Sequence, residues 1–228
     1  MSGIRLDSVS VRFGESEVLR DVSLDLDART IAVIGENGSG KSSFARLLGG
    51  LIGPTRGTMR ILGLDSTAQA RELRRRTAIV FSNPDTQILM PTVAEDVAFS
   101  LRADRLPRTE LRERVAAALD RFGLTELHDH ASHDLSGGQK QLLALCGAFI
   151  RRPDLVIADE PTAYLDARNA RRVADHLFAP DGHRLVLVTH DLELARRCDT
   201  AVLFAHGRVA ATGTPSAVVA DYEAMLRC

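Results

Sequence analysis

Short apolar runs alternate along the chain with longer stretches in which apolar residues recur every three or four positions. The runs are rich in β-branched residues and almost continuously hydrophobic, a pattern typical of strands that helices cover on both faces. They occur at residues 9–13, 31–34, 78–81, 155–158, 185–188 and 201–204. The pattern therefore predicts an α/β fold.

The opening stretch, residues 4–26, has a different period. Its apolar and polar residues partly alternate, the first set being Val18, Val22, Leu24 and Leu26 and the second Arg20, Ser23, Asp25 and Asp27. A period of two is typical of strands with one buried face. We expect antiparallel strands here, at one edge of the main sheet.

The middle of the chain is predicted to be helical. Val93, Val97 and Leu101 are spaced by four residues, and a second apolar stripe covers residues 111–122. No strand pattern occurs between residues 90 and 153. We therefore expect one domain over residues 1–228, with an α/β core at 1–90 and 153–228 and a helical insertion at 91–152.

Composition and charge narrow the class of protein. The 228 residues include 29 basic and 30 acidic side chains, and 45% are hydrophobic. These proportions exclude a disordered or fibrous chain. The net charge of −1 provides no general attraction to nucleic acid, so we expect no nucleic-acid partner, and the basic segment 71–76 is predicted to be a solvated helix face.

Cysteine spacing and apolar run length indicate the compartment. Cys146, Cys198 and Cys228 are far apart and odd in number, so we expect reduced thiols in the cytoplasm. Residues 1–6 show no secretory signal pattern. The longest apolar run, residues 142–150, is well below the roughly 20 residues that cross a bilayer, so a membrane role is expected to require a partner.

A G-x-x-x-x-G-K-S motif, the phosphate loop, follows the apolar run 31–34. Its chemistry-bearing residues are Gly35, Asn37, Gly38, Ser39, Gly40, Lys41 and Ser42, and Ser43 follows. Between a strand and a helix, such glycines let backbone N–H groups surround a phosphate chain, the lysine reaches the β- and γ-phosphates, and the serine ligates Mg²⁺. The structural alternative, a glycine-rich turn with an exposed lysine, is disfavoured by the strand-loop-helix context.

Two adjacent carboxylates, Asp159 and Glu160, end the apolar run 155–158. Ligands bind at this end of strands in open α/β sheets. Because neighbouring side chains on an extended chain point in different directions, Asp159 would hold Mg²⁺ while Glu160 takes a proton from an attacking water. A helix cap or surface turn would explain an acidic pair alone, but not its combination with a phosphate loop.

A second glycine-rich segment has the sequence LSGGQ and is called the signature loop, residues 135–139. It precedes an apolar helical stretch, and its polar and glycine positions are Ser136, Gly137, Gly138 and Gln139. Glycines at a helix start expose N–H donors and the positive end of the helix dipole. The segment is therefore a second candidate anion site, although such a start is commonly only a turn.

Taken together, these motifs resemble the nucleotide-binding subunit of an ABC transporter, because the signature loop lies between the phosphate loop and the acidic pair. The resemblance covers almost the whole chain. It implies a RecA-like P-loop core with an N-terminal antiparallel β region and an inserted helical subdomain, and it implies ATP and Mg²⁺ as ligands. It also implies a head-to-tail dimer, in which the signature loop of one subunit closes on the γ-phosphate held by the other.

The resemblance assigns roles to three further residues. Asp166, in the segment Tyr164-Leu165-Asp166, looks like the D-loop residue at the subunit contact. His190 looks like the switch histidine that senses the γ-phosphate, where a loop histidine without that role is the alternative. Phe13 looks like the aromatic that stacks on adenine. A buried residue at a strand end is the alternative for Phe13.

One position departs from the family pattern. The family usually places a metal-contacting glutamine after the strand at 78–81, but this chain has Ser82. A serine could reach the same point only through an intervening water. Gln87, five residues later, is not a simple replacement for that glutamine.

The segment 81–99 resembles the ATPases of energy-coupling-factor (ECF) importers. Ser82, the run 88–93 and the sequence at 169–172 are most similar to the ATPase of biotin importers. This implies membrane partners, a transmembrane coupling subunit and a substrate-binding subunit, that dock near residues 87–96 on the cytoplasmic face of the membrane. Glu95 and Asp96 would meet basic residues of the partner, or alternatively stabilise a helix N-terminus.

The main prediction is an ATPase that powers import, as a homodimer because one chain carries every element. Its solute is biotin, with cobalt, nickel or another vitamin as alternatives. A soluble ABC ATPase of DNA repair or chromosome structure is disfavoured because no sustained heptad occurs. A regulator without turnover is disfavoured by Lys41, Glu160 and His190, and a GTPase by the lack of N-K-x-D.

Overall fold

The computed structural model describes residues 3–227. Cys228 and the first two residues of the N-terminal segment lie outside them, whereas Cys146 and Cys198 are free and buried. The strands are β1 (Ile4–Phe13), β2 (Ser16–Leu26), β3 (Thr30–Gly35), β4 (Arg56–Ile61), β5 (Leu64–Asp65), β6 (Thr77–Val80), β7 (Leu155–Asp159), β8 (Arg184–Val188), β9 (Thr200–Ala205) and β10 (Arg208–Gly213). The α-helices are α1 (Lys41–Leu48), α2 (Ala70–Arg76), α3 (Val93–Phe99), α4 (Arg108–Phe122), α5 (Gly137–Phe149), α6 (Ala167–Phe178), α7 (Leu192–Arg196) and α8 (Pro215–Met225).

The chain divides into two compact units. The first comprises residues up to Ala78, Asp154–Glu160 and residues from Pro180 onward, and the second comprises Ile79–Pro153 and Pro161–Ala179. The predicted insertion at 91–152 has narrower bounds than this second unit. The difference at 161–179 arises because α6 packs on α5, so that the helix after β7 groups with the helices before it.

The main sheet has the strand order β10-β9-β3-β8-β7-β6. β3 pairs in parallel with β8 on one side and β9 on the other, and β7 is parallel to β8. All residues of β3 and β7 are buried, which explains their continuous hydrophobicity. Because parallel strands end at one edge of a sheet, the segments that follow β3, β7 and β8 meet there.

The first two strands lie in a separate four-stranded sheet, with the order β2-β1-β4-β5. The predicted antiparallel pairing is present, with Ile4 opposite Leu26, but its predicted place at the edge of the main sheet is wrong. β1 also pairs with β4, with Ile4 opposite Ile61, so both of its hydrogen-bonding edges are occupied. The apolar and polar residues of β4 alternate too little for the sequence to predict a strand there.

The second unit is built mainly from α3, α4, α5 and α6. The first three pack on one another, and their buried side chains include Val97, Leu119 and Leu142. Between residues 90 and 153 the described chain forms helices, 3-10 turns and one isolated bridge between Thr92 and Ala131, which confirms the helical prediction. In the first unit, α2 carries the basic segment 71–76 with Leu73 buried and its arginines largely exposed, as predicted.

Candidate functional site

The phosphate loop connects β3 to α1 at the carboxyl edge of the main sheet. Gly35 has φ +143°, and a side chain there would overlap the carbonyl oxygen of Phe204. Gly40, the residue before α1, has φ +106°. Only glycine adopts these conformations without strain, so the glycines let the backbone turn tightly from strand to helix.

The N-terminus of α1 is open to a ligand. Gly40 provides no side-chain cap, and the first turn contains no acidic residue, so the first N–H groups and the helix dipole are available to an anion. The Lys41 ammonium donates to the carbonyl oxygens of Gly35 (2.8 Å) and Glu36 (2.7 Å). Ser39 Oγ is buried and has no hydrogen-bond partner among the described residues.

The acidic pair lies beside this loop. Ser42 Oγ donates to Asp159 Oδ1 at 3.2 Å, joining the start of α1 to the end of β7. Glu160 follows with φ +52°, an uncommon conformation for a residue with a side chain, and its N–H donates to the carbonyl of Val188. The strand conformation of β7 therefore ends at Asp159.

His190 follows β8, as expected from sequence. Its Nδ1 lies 2.7 Å from Glu160 Oε2, while most of the imidazole is exposed. The structure thus brings together, within the first unit, Lys41, Ser42, Asp159, Glu160 and His190. Lys41, Ser42 and Glu160 line an open cleft together with Asn37, Gly38, Gly40 and Ser43.

Burial and neighbouring charge determine the pKa values in this cleft. Burial lowers the pKa of the Lys41 ammonium, and the charges of Glu160, Asp159 and Glu36 oppose that effect. Burial raises the pKa of Asp159, against the Ser42 hydrogen bond and the charges of Arg46 and Lys41. Both ions are therefore partly desolvated before any ligand binds.

The oxygens of Ser42 and Asp159 are the kind of ligand that Mg²⁺ prefers, and they lie close enough to share one ion. No group of three or more His, Cys, Asp or Glu suited to a metal occurs among residues 3–227. This donor set fits a Mg²⁺ ion that takes its remaining ligands from phosphate and water.

Phe13 lies at the end of β1 and is 49% exposed. The alternative that it is a buried residue is therefore wrong. Phe13 does not line the cleft, whereas Ser16, its pairing partner across the β1–β2 turn, does. The ring remains free to contact a ligand that extends beyond the cleft.

The signature loop lies in the second unit, where Ser136 caps α5. Ser136 Oγ accepts from the Gln139 N–H at 3.4 Å, and the Ser136 N–H donates to Gln139 Oε1 at 2.8 Å. This capping box keeps the helix start ordered. Gly137 and Gly138 form its first two positions. Asp166 caps α6 in the same unit and accepts from the Asn169 N–H.

Ser82 is half-buried and follows β6. Gln87 is held by the strand itself, since its Oε1 accepts from the Phe81 N–H at 2.8 Å and its Nε2 donates to the Ile79 carbonyl at 2.9 Å. The Gln87 side-chain amide therefore makes the kind of hydrogen bonds to this segment that a neighbouring strand would make. This agrees with the view that Gln87 is not a substitute for the missing glutamine.

Asp96 and Glu95 both accept hydrogen bonds near the start of α3. Asp96 is 7% exposed, and its Oδ1 accepts from the N–H groups of Leu89 (2.7 Å) and Met90 (3.0 Å). Glu95 accepts from the Thr92 N–H and hydroxyl in a capping box. The expectation that Asp96 meets a partner's basic residues is wrong because burial commits it to this loop.

Two residues near the signature loop were not predicted as part of a site. Gln141 is 1% exposed and donates to the Phe81 carbonyl at 3.1 Å, and Lys140 pairs with Asp85 at 2.8 Å. Both follow the signature loop directly and tie α5 to the segment after β6. A glutamine inside the apolar face of a predicted helix was the available signal.

Known proteins are similar to this chain over most of its length. The model of the ABC transporter family matches residues 19–163. A putative ABC transporter ATP-binding protein of Deinococcus radiodurans is 44% identical over 96% of this chain and 97% of its own length. The biotin transport ATP-binding protein BioM of Rhizobium etli is 37% identical over 96% and 97%. The energy-coupling factor transporter ATP-binding protein EcfA1 of Lacticaseibacillus paracasei is 37% identical over 98% and 83%.

Solved structures agree with the fold. CbiO1 of Clostridium perfringens, part of the ABC transporter complex CbiONQ, is 29% identical, with a TM-score of 0.85 over 98% of this chain and 93% of that one. The ATP-binding cassette MJ0796, in a dimeric post-hydrolysis state with ADP and Pi, is 27% identical, with a TM-score of 0.82 over 93% and 98%. The predicted ABC ATPase fold is confirmed. No helix among the described residues combines the length and hydrophobicity needed to span a bilayer.

Proposed function

We propose that this chain, which belongs to the ABC transporter family of ATP-binding proteins, is the energy-coupling ATPase of an ECF-type importer for biotin. Members of the family are ATPases, and this chain is one. The transporter type and solute are supported by its 37% identity to both BioM and EcfA1 over nearly its full length. The segments 81–99 and 169–172 provide the sequence support for biotin in particular.

The observation that carries the ATPase mechanism is the grouping at one sheet edge of an open helix N-terminus, Lys41, Asp159 and the Glu160–His190 pair. The N–H groups of residues 38–42 bind the phosphate chain. Lys41 exchanges its contacts with the carbonyls of Gly35 and Glu36 for the β- and γ-phosphates. The ammonium gains strongly from an incoming anion because it is already partly desolvated.

Glu160 is the general base in this proposal. A water attacks the γ-phosphorus, the bond to the β-phosphate oxygen breaks, and the Glu160 carboxylate accepts the proton of the water. His190, whose Nδ1 lies 2.7 Å from that carboxylate, would fix its direction, and the exposed edge of the imidazole would contact the γ-phosphate. A positioned general base typically contributes 10²–10⁴ in rate.

Ser42 and Asp159 would hold Mg²⁺, which neutralises the charge on the β- and γ-phosphates during transfer. Asp159 is ready for this because its buried carboxylate has only the Ser42 hydroxyl as a direct partner among the described residues. Phe13, exposed at the end of β1, would cover the adenine.

The active assembly is a homodimer in which the signature loop and Asp166 of each subunit complete the nucleotide site of the other. The dimeric MJ0796 cassette, similar over 93% of this chain, supports that arrangement. The dimer would lie at the cytoplasmic face of the membrane. Transmembrane coupling and substrate-binding subunits would dock near residues 87–96, where Leu89 is 66% exposed beside a cleft lined by Asp85, Met90 and His133.

The test is uptake of labelled biotin by a biotin-requiring strain of the source organism. Deleting this gene is expected to abolish high-affinity uptake, the wild-type chain to restore it, and Lys41→Ala to leave it absent, since that variant cannot hold the phosphates. Arg171→Ala, an exposed change on α6, serves as a matched control and should restore uptake.

Two other results would redirect the proposal. Normal biotin uptake with loss of cobalt, nickel or another vitamin would overturn the solute but not the importer. Normal uptake of all of these would overturn the importer role itself. The CbiONQ membership of a structural relative makes these solutes worth including in the same assay.

A further inference from the structure

The two glycines of the signature loop have different surroundings. A Cβ atom built on Gly137 would have no neighbour within 4 Å, so this glycine faces open space. A Cβ atom on Gly138 would lie 2.5 Å from Nδ2 and 2.8 Å from Oδ1 of Asn169, distances that real side chains do not adopt. The Asn169 amide therefore packs directly against the backbone of Gly138.

Asn169 is held in this place by Asp166. The Asn169 N–H donates to Asp166 Oδ1 at 2.9 Å, and its Nδ2 donates to Oδ2 at 2.7 Å. These bonds lower the pKa of the Asp166 carboxyl, so it remains an ionised acceptor. One side chain thus contacts the signature loop and is bonded to the carboxylate that caps α6.

The rest of α6 prevents Asn169 from moving away. Arg172 donates to the carbonyl of Phe122 at 3.4 Å, and the ring of His176 stacks on that of Phe122 at 4.2 Å. Residues 169, 172 and 176 fall on one helix face, which is thereby anchored to α4 and the signature loop. A shift of the Asn169 backbone would therefore require a shift of the helix.

We propose that Asn169 is a positioning residue that sets the signature loop relative to Asp166. Position 138 is then glycine because the Asn169 side chain packs against its backbone, and position 137 is glycine because the nucleotide needs the space beside it. The inference rests on the proposed function, in which the signature loop and Asp166 both act at the subunit contact. The LSGGQ sequence alone does not distinguish the two glycines.

The test combines Gly137→Ala and Gly138→Ala, each alone and each with Asn169→Ala. Gly138→Ala should lower kcat for ATP at least roughly tenfold, as expected for an overpacked contact. Asn169→Ala removes the Cγ, Nδ2 and Oδ1 atoms that the new methyl group would strike. The double variant should therefore be no less active than Asn169→Ala alone, whereas independent effects would multiply to a loss of roughly a hundredfold. Gly137→Ala should also lose activity, but in its double variant the loss should multiply with that of Asn169→Ala.

The positioning role has its own readout. Asn169→Asp keeps the size of the side chain but replaces the Nδ2 donor with an oxygen that repels Asp166. Both it and Asn169→Ala should lower kcat about tenfold, the effect of losing one hydrogen bond to a charged group, while the Kd for ATP of the isolated chain changes less than about twofold. Arg171→Ala, exposed on the same helix, is the matched control and should change neither quantity.

The outcomes separate the two proposals. A wild-type chain without ATP hydrolysis contradicts the proposed function. An active wild-type chain in which Gly138→Ala is tolerated, or in which the losses from Gly138→Ala and Asn169→Ala multiply in the double variant, contradicts the inference about Asn169. If Gly138→Ala fails to fold, the thermal unfolding of the double variant decides: a Tm restored to that of Asn169→Ala supports the contact, and a Tm that stays low overturns it.

Discussion

At the scale of single residues, the cleft holds charges that burial disfavours. Lys41 and Asp159 are both desolvated, and each offsets part of the other's cost. A site prepared in this way binds phosphate and metal without first removing much water, but it lowers the stability of the empty protein. The sign of this effect can be tested at Asp159.

Asp159→Asn is expected to stabilise the chain in the absence of nucleotide at neutral pH. The folded-state pKa of Asp159 is raised above its ordinary value, so the folded chain binds the proton more readily than the unfolded chain. The contribution of Asp159 to stability is therefore complete below the ordinary carboxyl pKa and is lost as pH rises through the raised value. A gain of about 1 kcal/mol would raise Tm by roughly 2–4 °C at this chain length.

The measurement is thermal unfolding of both chains at pH 7 and at successively lower pH. The advantage of Asp159→Asn should shrink as the pH approaches the ordinary carboxyl pKa, and its ATP hydrolysis should be lost at every pH. Asp7→Asn, the same change on an exposed strand position, is the control. A lower Tm for Asp159→Asn at pH 7 would mean that the Ser42 hydrogen bond and the charges of Arg46 and Lys41 together outweigh burial of the carboxylate.

At the scale of secondary structure elements, the sequence predicted those strands whose residues are buried almost continuously. The strands β3, β7, β8 and β9 are buried along almost their whole length, so their apolar runs were visible and their ends located the candidate site. Strands β4 and β10 were missed because much of each is exposed and its residues are mixed. Which sheet β1 joins depended on its pairing with β4, a contact between segments about fifty residues apart that no local pattern encodes.

At the same scale, the contribution of the Gln87 side chain to stability can be tested directly. Its amide bonds to both Phe81 and Ile79 and so fixes the segment that follows β6. Replacing Gln87 with Ala should lower stability by about 1–2 kcal/mol, because two hydrogen bonds are lost and their partners are left half-buried. The Phe81 amide should then exchange with solvent deuterium clearly faster.

Gln87→Glu separates the two bonds. A carboxylate still accepts from the Phe81 N–H but faces the Ile79 carbonyl without a donor, so this variant should be at least as destabilised as Gln87→Ala. Gln69→Ala removes a glutamine that accepts from the Asp65 N–H elsewhere in the fold and should leave Phe81 exchange unchanged. Equal exchange rates at Phe81 in wild type and Gln87→Ala would show that the amide bond is not formed in solution.

At the scale of the whole molecule, the predicted nucleotide contacts are divided between two compact units. The phosphate loop, Asp159, Glu160 and His190 belong to the first, and the signature loop and Asp166 belong to the second. The motifs could be found from sequence because each has its own local geometry, a strand end or a helix start. The packing of Asn169 on Gly138 could not, because it joins two segments about thirty residues apart through a side chain with no motif of its own.

A dimer that shares its sites should be trapped when hydrolysis is blocked after binding. Glu160→Gln keeps the size of the side chain and every phosphate contact but removes the carboxylate that accepts the proton of the water. Hydrolysis should slow at least roughly a hundredfold while ATP binding is retained.

In size-exclusion chromatography with light scattering, this variant should run as a dimer in ATP and Mg²⁺ and as a monomer in ADP. Lys41→Ala is the control that should stay monomeric in both, because its loss lies in nucleotide binding. Dimers of Lys41→Ala in ATP would show that the subunits associate without nucleotide bound through Lys41. Rapid hydrolysis by Glu160→Gln would show that another residue activates the water.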